Sequence, residues 1–453
     1  MGNADPAPGG ADTIAALATP PGRGGIGIIR VSGPNAGTVA AALTGRIPPA
    51  RRAVYSEARD ASGRLIDRGL ALYFPAPGSY TGEDIFEFHG HGGPAVTGEV
   101  LRACLASGAR LATAGEFTQR AYLNDKLDLA QAEAVADLID AQSAEAARLA
   151  MRSLTGEFSA AIHDLVSRLT DLRALTEAML DFPEEDVDAL HVDDARTRLA
   201  DLRLRLAGVQ RGSRQGRLLQ EGVRVVIAGR PNVGKSSLLN RLAGEDRAIV
   251  TPVPGTTRDV LRESIRIEGV PIHVVDTAGL RETTDEVERE GIARAWTAVG
   301  DADVLLAVFE EGDAPGAEEE AILRRMPVAA RRIRVFNKVD LVADAAARVE
   351  QAGVPAVHLS ARTGDGIDLL RRAILDAAGA QTGGESMFLA RERHLQALGA
   401  ASTHLGVAEG EGGRWELFAE ELRLAQAALA SITGEFSADD LLGEIFSRFC
   451  IGK

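Results

Sequence analysis

The residues best suited to chemistry form a glycine-rich segment, Gly229 to Ser236, with the pattern G-x-x-x-x-G-K-S. It follows the apolar run VRVVIAG and leads into SLLNRLAG, which has helical spacing. Glycines let backbone N–H groups surround phosphate oxygens, the Lys235 ammonium can reach the β- and γ-phosphates, and the Ser236 hydroxyl can bind Mg²⁺. A nucleoside triphosphate site is therefore predicted. Its phosphate contacts are predicted to be Asn232, Val233, Gly234, Lys235, Ser236 and Ser237.

Two later strand ends carry residues that can recognise guanine. The carboxylate of Asp340, in the run NKVD, can accept hydrogen bonds from guanine N1 and N2, and the stem of Lys338 can cover the ring. Adenine has no such donor pair, so this arrangement favours GTP over ATP. The following strand end, Ser360 to Arg362, suits a backbone N–H contact to guanine O6. The predicted base contacts are Asn337, Lys338, Val339, Asp340, Ser360, Ala361 and Arg362.

Two segments between these motifs have the order expected of nucleotide-sensing switches. The run DTAG ends a strand, where Asp276 can approach Mg²⁺ through water and the Gly279 amide can meet the γ-phosphate. The run GTTRD lies where a first switch belongs, with an ordinary turn as its alternative, and Thr257 is the expected second Mg²⁺ ligand. The predicted switch contacts are Thr251, Pro252, Val253, Pro254, Gly255, Thr256, Thr257, Asp276, Thr277, Ala278 and Gly279.

The residue after DTAG limits the mechanism of hydrolysis. Leu280 stands where many GTPases carry the glutamine that orients the attacking water, and leucine cannot do so. Glu288, in the acidic run RETTDEVERE, could position the water instead, and the alternative is a solvated helix. No arginine finger is identifiable. A monovalent cation could supply the missing positive charge, with Asn232 and carbonyls of the first switch as candidate ligands.

The elements that must position these residues fall into four segments. Residues 1–126 mix short β-like runs with Gly and Pro, which predicts an α+β domain. Over 127–221 Ala, Leu, Glu, Arg and Gln recur at three-to-four spacing, which predicts long helices. Strand and helix patterns alternate over 222–379, which predicts a mostly parallel sheet covered by helices. Helical spacing returns over 380–453, so we expect the α/β domain to be inserted within a helical one.

Composition bounds the class of protein. A chain of 453 residues predicts two to four domains. Its net charge of -15 argues against broad electrostatic wrapping of nucleic acid, so any RNA contact must be local or shared. Two cysteines exclude a disulfide scaffold, and Cys104 is predicted to be a core thiol. We find no signal peptide or membrane-spanning run, which predicts a cytoplasmic protein without membrane association.

Two motifs outside the nucleotide segments have more than one interpretation. Glu87, His89 and His91 alternate along one strand and could bind a metal, but no fourth ligand is evident. A tight turn or a close backbone approach to a ligand explains GHGG at 90–93 better. The terminal run Phe-Cys-Ile at 449–451 would be unfavourable in water, so we expect it to dock on the protein.

A near-repeat joins the two helical segments. The run SLTGEFSA at 153–160 closely matches SITGEFSA at 431–438. The match could arise from equivalent turns in two halves of one bundle, or by accident.

The chain resembles the MnmE family of tRNA-modification GTPases over essentially its whole length. The shared motifs are TPPGRGGIGIIR, NDKLDLAQAEA, GRPNVGKSSLLN, GTTRD, DTAGLRETTDEVE and the terminal FCIGK. The switch motifs specify only a GTPase, whereas the PGRGG start and the FCIGK end are particular to this family. The resemblance implies an N-terminal α+β domain that binds a one-carbon tetrahydrofolate and drives homodimerisation, a discontinuous helical bundle, and an inserted Ras-like P-loop GTPase domain.

The resemblance also implies a reaction. With the FAD-dependent partner MnmG, in a heterotetramer or larger complex, family members add an aminomethyl or carboxymethylaminomethyl group at C5 of the wobble uridine, position 34, of certain tRNAs. The one-carbon cofactor is 5,10-methylenetetrahydrofolate or 5-formyltetrahydrofolate. Folate contacts are implied at Arg30, Glu87, Lys126 and Lys453.

The remaining implied roles concern metal ions and hydrolysis. In the family a K⁺ ion takes the place of an arginine finger, and two GTPase domains meet around it across the dimer. Its ligands are implied to be Asn232, Thr251, Val253 and Thr256. Mg²⁺ is implied at Ser236 and Thr257, and the acid that positions water at Glu288. Cys450 could also have a chemical role.

Two other classes of protein fit these motifs less well. A ribosome-assembly GTPase, acting as an rRNA-binding switch, needs an appended basic RNA-binding module, and no KH-type G-x-x-G loop is evident. A dimerising scaffold that remodels membranes needs an amphipathic or basic surface stretch, which the chain lacks.

Overall fold

The computed structural model defines most of the chain. It describes residues 12–141, 143–181, 189–230, 232–244, 262–276, 300, 302–312, 331–342, 346–351, 354–380, 387–411, 414–435, 439–447 and 449–452. The chain divides into two compact units. Unit 1 comprises Met1–Asp140, Ala150–Leu206 and Gln396–Lys453, and unit 2 comprises Ala141–Leu149 and Ala207–Leu395.

Unit 1 begins with a six-stranded sheet covered by helices. Its strands are β1 (Ile14–Leu17), β2 (Gly24–Ser32), β3 (Val54–Arg59), β4 (Leu65–Phe74), β5 (Ile85–Gly92) and β6 (Arg110–Leu111), and its helices are α1 (Ala36–Thr44), α2 (Pro94–Ala106) and α3 (Glu116–Leu123). The strand order is β3-β4-β5-β2-β1-β6. All neighbouring strands are antiparallel except β1 and β6.

Alternation along the central strands builds the core of this sheet. Ile29 and Val31 of β2 and Phe86 and Phe88 of β5 are buried against α1 and α2. Cys104 of α2 is fully buried in the same cluster, which confirms the predicted core thiol. Burial raises the pKa of the Cys104 thiol to about 12, so the thiol is protonated and unreactive at neutral pH.

A buried ionic network ties α3 to the sheet. Arg120 is 4% exposed and donates hydrogen bonds to Glu116 at 2.9 Å, to Asp12 at 2.7 Å and to Glu83 at 3.1 Å. Glu116, which is 3% exposed, also accepts a hydrogen bond from Arg110 at 2.8 Å. Burial by itself would raise the pKa of Glu116, but hydrogen bonds from Arg110, the Thr113 amide and Arg120 outweigh it and lower the pKa to about 2.

We expect Glu116→Gln to lower the free energy of unfolding by about 2 kcal/mol at pH 7, because Arg110 and Arg120 each lose one of their carboxylate partners. The lowered pKa means that this stabilisation is fully present above pH 4.5 and is lost as the pH falls toward about 2. Urea denaturation at pH 7 and pH 3 measures both effects. Glu57→Gln is the control, since Glu57 bonds Arg59 and Arg68 at an exposed site. An equal loss in both variants would contradict the assigned role of burial.

Four helices follow the N-terminal sheet. They are α4 (Leu129–Asp140), α5 (Ala144–Leu154), α6 (Glu157–Asp181) and α7 (Ala189–Glu221). A reciprocal capping box begins α4: Asp128 Oδ1 accepts from the Gln131 amide at 2.8 Å, and Gln131 Oε1 accepts from the Asp128 amide at 3.0 Å. Leucines at helical spacing on α6, such as Leu165, Leu169 and Leu172, are buried.

Unit 2 contains a seven-stranded sheet. Its strands are β7 (Val223–Ala228), β8 (Arg262–Ile267), β9 (Val270–Asp276), β10 (Val304–Glu310), β11 (Arg331–Asn337), β12 (Ala347–Gln351) and β13 (Val354–Leu359), with helices α8 (Lys235–Ala243) and α9 (Ile367–Ala378) and a short 3-10 helix (Val339–Leu341). The order is β12-β13-β11-β10-β7-β9-β8. The five central strands are parallel, which confirms the expected mostly parallel sheet.

Parallel pairing brings several motifs to one edge of this sheet. The carboxyl ends of β7, β9, β11 and β13 carry the phosphate loop, Asp276, Asn337 and Ser360. Ligands bind at this edge of an open parallel sheet because loops and helix N-termini meet there. The domain limits predicted at 221/222 and 379/380 stay a prediction, although β7 begins at Val223 and α9 ends at Ala378.

Within the described residues, the chain ends with helices α10 (Glu392–Gly410), α11 (Trp415–Thr433) and α12 (Asp439–Ser447). Within unit 1, α11 packs against α6. The near-repeat falls at two similar helix ends, since Gly156 and Gly434 follow α5 and α11 and both have φ of 90°. Glycine suits this left-handed position because it has no Cβ. Residues 436–438 of the second copy lie outside the described part.

The C-terminal segment packs within unit 1 as predicted, but of its run Phe-Cys-Ile only Phe449 is buried, whereas Cys450 and Ile451 are exposed. Phe446 and Phe449 are buried with Leu129 of α4, and their rings lie 5.5 Å apart. Beyond them Ile451 forms an isolated antiparallel bridge with Ala114. The described end of the chain, Gly452, has φ of 101°, and a Cβ there would lie 2.2 Å from the Leu17 carbonyl oxygen. This close approach requires glycine.

Candidate functional site

The predicted phosphate loop joins β7 to α8, as its sequence context requires. Gly234 precedes the first residue of α8, with φ of 96°. A Cβ on Gly234 would lie 2.3 Å from Asn337 Nδ2, so the second glycine of the motif is required both by its backbone and by its neighbour. Asn232 also adopts a left-handed conformation, with φ of 63°. The loop therefore follows a backbone path that few residue types accept.

Lys235 lies within this loop. Its ammonium donates to the carbonyl oxygens of Gly229 at 2.6 Å and Arg230 at 3.0 Å. Ser236 and Ser237 follow in the first turn of α8, where unpaired N–H groups and the helix dipole favour phosphate. The Lys235 ammonium, the two serine hydroxyls and the N-terminus of α8 thus meet at the carboxyl end of β7.

Asn337 links the phosphate loop to the loop expected to contact guanine O6. Its Nδ2 donates to the Val233 carbonyl at 2.7 Å, and its Oδ1 accepts from the Ala361 amide at 2.9 Å. Asn337 is 2% exposed, so these bonds are shielded from water. The phosphate and base parts of the predicted site are therefore in direct contact.

Asp340 is held in place as a charged acceptor. Its Oδ1 accepts from Ser360 Oγ at 2.5 Å, and its other oxygen accepts from the Arg362 guanidinium. Hydrogen bonding by Ser360, and then the charge of Arg362, hold the pKa of the Asp340 carboxyl below its usual range. A charged, oriented carboxylate is the group that a guanine N1–H and N2–H₂ edge requires.

Two further side chains support this region and were missed by the sequence interpretation. Arg241 of α8 donates from Nε to the Ala361 carbonyl at 3.2 Å and also bonds the Arg362 carbonyl. Glu310, at the end of β10, pairs with the Lys338 ammonium at 2.7 Å. Since Glu310 ends the strand next to β11, the rule that parallel strand ends meet at one edge could have identified it. No sequence signal pointed to Arg241.

Several predicted residues lie outside the described part of the chain. These are Thr251, Pro252, Val253, Pro254, Gly255, Thr256, Thr257, Thr277, Ala278, Gly279, Glu288 and Lys453. Asp276 ends β9, whose backbone runs parallel to β7 with Ile227 opposite Asp276. Among the described residues, no group of three or more His, Cys, Asp or Glu side chains could hold a metal ion.

Unit 1 places Arg30 and Glu87 in direct contact. They face each other across β2 and β5, and Arg30 Nε donates to Glu87 Oε1 at 2.7 Å. The Arg30 guanidinium also lies 5.7 Å from the ring centroids of Tyr80 and Phe117. Burial would raise the pKa of Glu87, but the charge of Arg30 and a hydrogen bond from His89 lower it. The result is a half-buried ion pair beside aromatic rings.

The C-terminal segment approaches this pair. Arg30 lies opposite Ala16 on β1, and the next β1 residue, Leu17, contacts Gly452 through its carbonyl oxygen. Cys450 is exposed and free, and its carbonyl accepts a hydrogen bond from the Gly115 amide at 3.4 Å.

Lys126 lies just after α3, at a separate position from the ion pair. A Cβ on Gly82 would lie 3.2 Å from Lys126 Cε, which puts the lysine stem against the loop that follows Tyr80. It also lines a cavity of about 430 Å³ with Asp125, His163 and Glu435. The structure does not show a direct contact between Lys126 and Arg30 or Glu87.

The metal interpretation of Glu87, His89 and His91 is not supported by their contacts. His89 Nε2 bonds Glu87 at 2.9 Å, whereas His91 Nδ1 bonds Asp67 on the neighbouring strand at 2.7 Å. The three side chains therefore do not converge on one point. Gly92 approaches the neighbouring strand closely, because a Cβ there would lie 2.6 Å from the Ile26 carbonyl oxygen, whereas the approach to a ligand stays a prediction.

None of the described helices is both long enough and apolar enough to span a bilayer.

Comparisons with known proteins identify the family. The family model for the MnmE helical domain matches residues 129–450, and the model described as the GTP-binding protein TrmE N-terminus matches residues 13–126. A relative from Azoarcus sp. (strain BH72), named tRNA modification GTPase MnmE, is 60% identical and covers 99% of this chain and 100% of its own.

Further relatives carry the same name. Those from Thiobacillus denitrificans and Chromobacterium violaceum are 57% and 56% identical, over 99% and 97% of this chain and 100% and 98% of their own lengths. Each of these matches spans the N-terminal sheet, the helices and the nucleotide site. The chain therefore belongs to the MnmE family of GTPases.

Proposed function

We propose that this protein hydrolyses GTP in the course of modifying tRNA, at C5 of the wobble uridine. The observation that carries the nucleotide part is the contact of phosphate and base elements through Asn337, next to the oriented carboxylate of Asp340. The name that these relatives carry, tRNA modification GTPase, supports tRNA as the substrate. An rRNA-binding switch, the alternative, receives no comparable support.

The described residues suit GTP bound with Mg²⁺. Gly234 and Lys235 surround the phosphates, and Ser236, in the first turn of α8, would hold the metal together with Thr257. When bound, Mg²⁺ neutralises charge that develops on the phosphate oxygens. Lys235 supplies a second positive charge, and Asp340 and Lys338 fix the base so that the γ-phosphate is presented at the switch segments.

Hydrolysis requires a further positive charge and a positioned water. We assign the charge to K⁺, with Asn232, Thr251, Val253 and Thr256 as ligands, and the positioning of water to Glu288. Asn232 has a left-handed backbone, which places it at the bend of the phosphate loop. This position supports its assignment as a K⁺ ligand. A homodimer would bring two such sites together. When bound, the cation offsets transition-state charge in place of an arginine finger.

We expect GTP turnover to be about tenfold or more faster in K⁺ than in Na⁺, because removing one electrostatic stabiliser commonly slows turnover by that much or more. Steady-state phosphate release at matched ionic strength measures this. Asn232→Gly, which accepts the same left-handed backbone, should lose the difference between the two salts while retaining nucleotide binding. Equal rates in K⁺ and Na⁺ for the unmodified protein would contradict the cation assignment.

We further propose that unit 1 binds a one-carbon folate, 5-formyl- or 5,10-methylenetetrahydrofolate, at Arg30 and Glu87. The half-buried ion pair beside Tyr80 supports this, since a carboxylate suits pterin N–H donors and the aromatic ring offers a face for stacking. Lys126 and Lys453 are proposed as additional contacts. Cys450 is proposed as a residue with a chemical role, because it is exposed and adjoins the segment that reaches Leu17.

The uridine chemistry needs a redox partner. We propose that MnmG, carrying FAD, joins the homodimer in a heterotetramer or larger complex, in the cytoplasm. This chain would contribute the folate and the GTPase cycle. The added group would be aminomethyl or carboxymethylaminomethyl.

Mass spectrometry of tRNA nucleosides from a deletion strain tests the proposed function. Modified wobble uridines should disappear on deletion and return when the unmodified chain is supplied. Lys235→Ala, which removes the ammonium from the phosphate loop, should not restore them. Unchanged wobble uridines after deletion would overturn the assignment to tRNA modification, whatever the GTPase activity.

A further inference from the structure

An arginine-lined cavity lies at the edge of the seven-stranded sheet opposite to the nucleotide loop. Its volume is about 600 Å³, and all its described lining residues belong to unit 2. It is formed where β7 begins, whereas the phosphate loop follows the end of the same strand. The charged residues that line it are Arg211, Arg214, Arg217, Arg224, Glu221 and Asp303.

The acidic residues in the cavity already have partners. Glu221 accepts a hydrogen bond from Arg217 at 2.8 Å, and Asp303 accepts one from the Arg224 amide at 2.8 Å. Arg211 and Arg214, one helical turn apart on α7, are exposed and have no ion-pair or hydrogen-bond partner among the residues that the structure describes. The cavity thus presents two uncompensated guanidinium groups.

Other arginines of α7 behave differently. Arg198 pairs with Asp194 at 2.9 Å, and Arg205 pairs with Asp201 at 2.7 Å, each four residues away on the same helix. Such pairs are typical of a solvated helix surface. Arg211 and Arg214 have no acidic residue three or four positions before them, so the sequence itself leaves their charge unbalanced.

The basic character continues along the edge of the sheet. Arg331 and Arg332 begin β11 and are exposed, and their guanidinium groups likewise lack a partner within the described ranges. The Arg331 amide donates to the carbonyl of Asp303, a lining residue, at 2.9 Å. Because β10 lies between β7 and β11, two strand spacings of about 4.8 Å separate their ends. The arginines therefore span more than one phosphate group.

We propose that this edge, defined by Arg211, Arg214, Arg331 and Arg332, binds the phosphate backbone of tRNA. The inference rests on the proposed function, which makes tRNA the substrate. A chain of net charge -15 cannot attract RNA over its whole surface, so it requires a local cluster of uncompensated positive charge. Guanidinium groups suit phosphate because they donate two parallel hydrogen bonds.

Binding of unmodified bulk tRNA to the full-length chain tests this inference. Fluorescence anisotropy over a series of KCl concentrations should show that R211A/R214A binds about tenfold or more weakly at low salt, with a log K against log [salt] slope shallower by about 1.4 to 2. GTP turnover without tRNA should be unchanged. R198A/R205A, which removes two paired arginines from the same helix, should bind like the unmodified chain.

The outcomes separate this inference from the proposed function. Unchanged affinity and slope in R211A/R214A would overturn the binding site, and so would the absence of salt-dependent tRNA binding by the unmodified chain. If R211A/R214A loses binding of inorganic phosphate but keeps its affinity for tRNA, the cavity binds a small anion, and this result would also overturn the tRNA-binding site. The wobble-uridine measurement tests the proposed function independently of all three.

Discussion

Replacing Asp340 by Asn should lower the affinity for GTP by about a hundredfold or more and create affinity for xanthosine triphosphate. The Asp340 carboxylate is the acceptor for guanine N1–H and N2–H₂, and a hydrogen bond to a charged group contributes roughly 1.5–3 kcal/mol. An asparagine amide would place its own N–H₂ group against the guanine N2 amino group, so that two hydrogen-bond donors would face each other. Xanthine carries a carbonyl oxygen there, which that N–H₂ can meet as a donor.

The substitution keeps one of the two side-chain contacts of Asp340, since Arg362 loses its carboxylate partner but Ser360 keeps its acceptor. Ser360 Oγ can still donate to Asn Oδ1 at the position where it now donates to the carboxylate at 2.5 Å. Asp365→Asn is the matched control. Asp365 lies in the loop that carries Ser360, and its carboxylate accepts from Thr363 Oγ1 at 2.7 Å. Fluorescent-nucleotide titration with GTP and xanthosine triphosphate gives both affinities. Equal GTP affinity in Asp340→Asn and Asp365→Asn would remove Asp340 from base recognition.

Replacing Arg30 by Gln should abolish measurable binding of 5-formyltetrahydrofolate to unit 1. The substitution removes the charge that pairs with Glu87 at 2.7 Å and the cation beside Tyr80 and Phe117. Glu87→Gln should have a similar effect, since it removes the carboxylate proposed to meet the pterin. Isothermal titration calorimetry with 5-formyltetrahydrofolate measures the loss in each variant.

Folding must be monitored in the same experiment, because Arg30→Gln removes the guanidinium that pairs with Glu87. Breaking a partly buried pair destabilises a protein even without a ligand. Circular dichroism and the melting temperature therefore accompany the titration. Arg102→Gln is the control, since Arg102 is exposed and pairs with Glu99 three residues away. Full folate affinity in a folded Arg30→Gln protein would overturn the proposed folate site.

The nucleotide site could be predicted from the sequence because its parts are local. Eight consecutive residues, from Gly229 to Ser236, contain the turn, the cation and the hydroxyl that phosphate binding needs. The apolar runs before the phosphate loop and NKVD identify parallel strands, and parallel strands bring their carboxyl ends to one edge. Short β-like runs likewise predicted the α+β character of residues 1–126, and burial of Cys104 was correctly predicted.

Contacts between distant segments were decided only by the tertiary structure. The pair of Arg30 and Glu87 depends on the register of β2 with β5. A shift of one residue would send both side chains to the other face of the sheet. The resemblance placed both at one folate site, but it could not show that each is the other's partner.

The same distinction separates the phosphate loop from its supports. The motif from Gly229 to Ser236 is determined by adjacent residues, whereas Asn337 and Arg241 act across separations of 104 and 120 residues. Likewise, the apolar character of the C-terminal run predicted that it docks, but not that Ile451 would meet Ala114. Composition and spacing determine which groups must be buried or bound. Packing of complete strands and helices determines which partner each group finds, because that choice depends on all the other contacts at once.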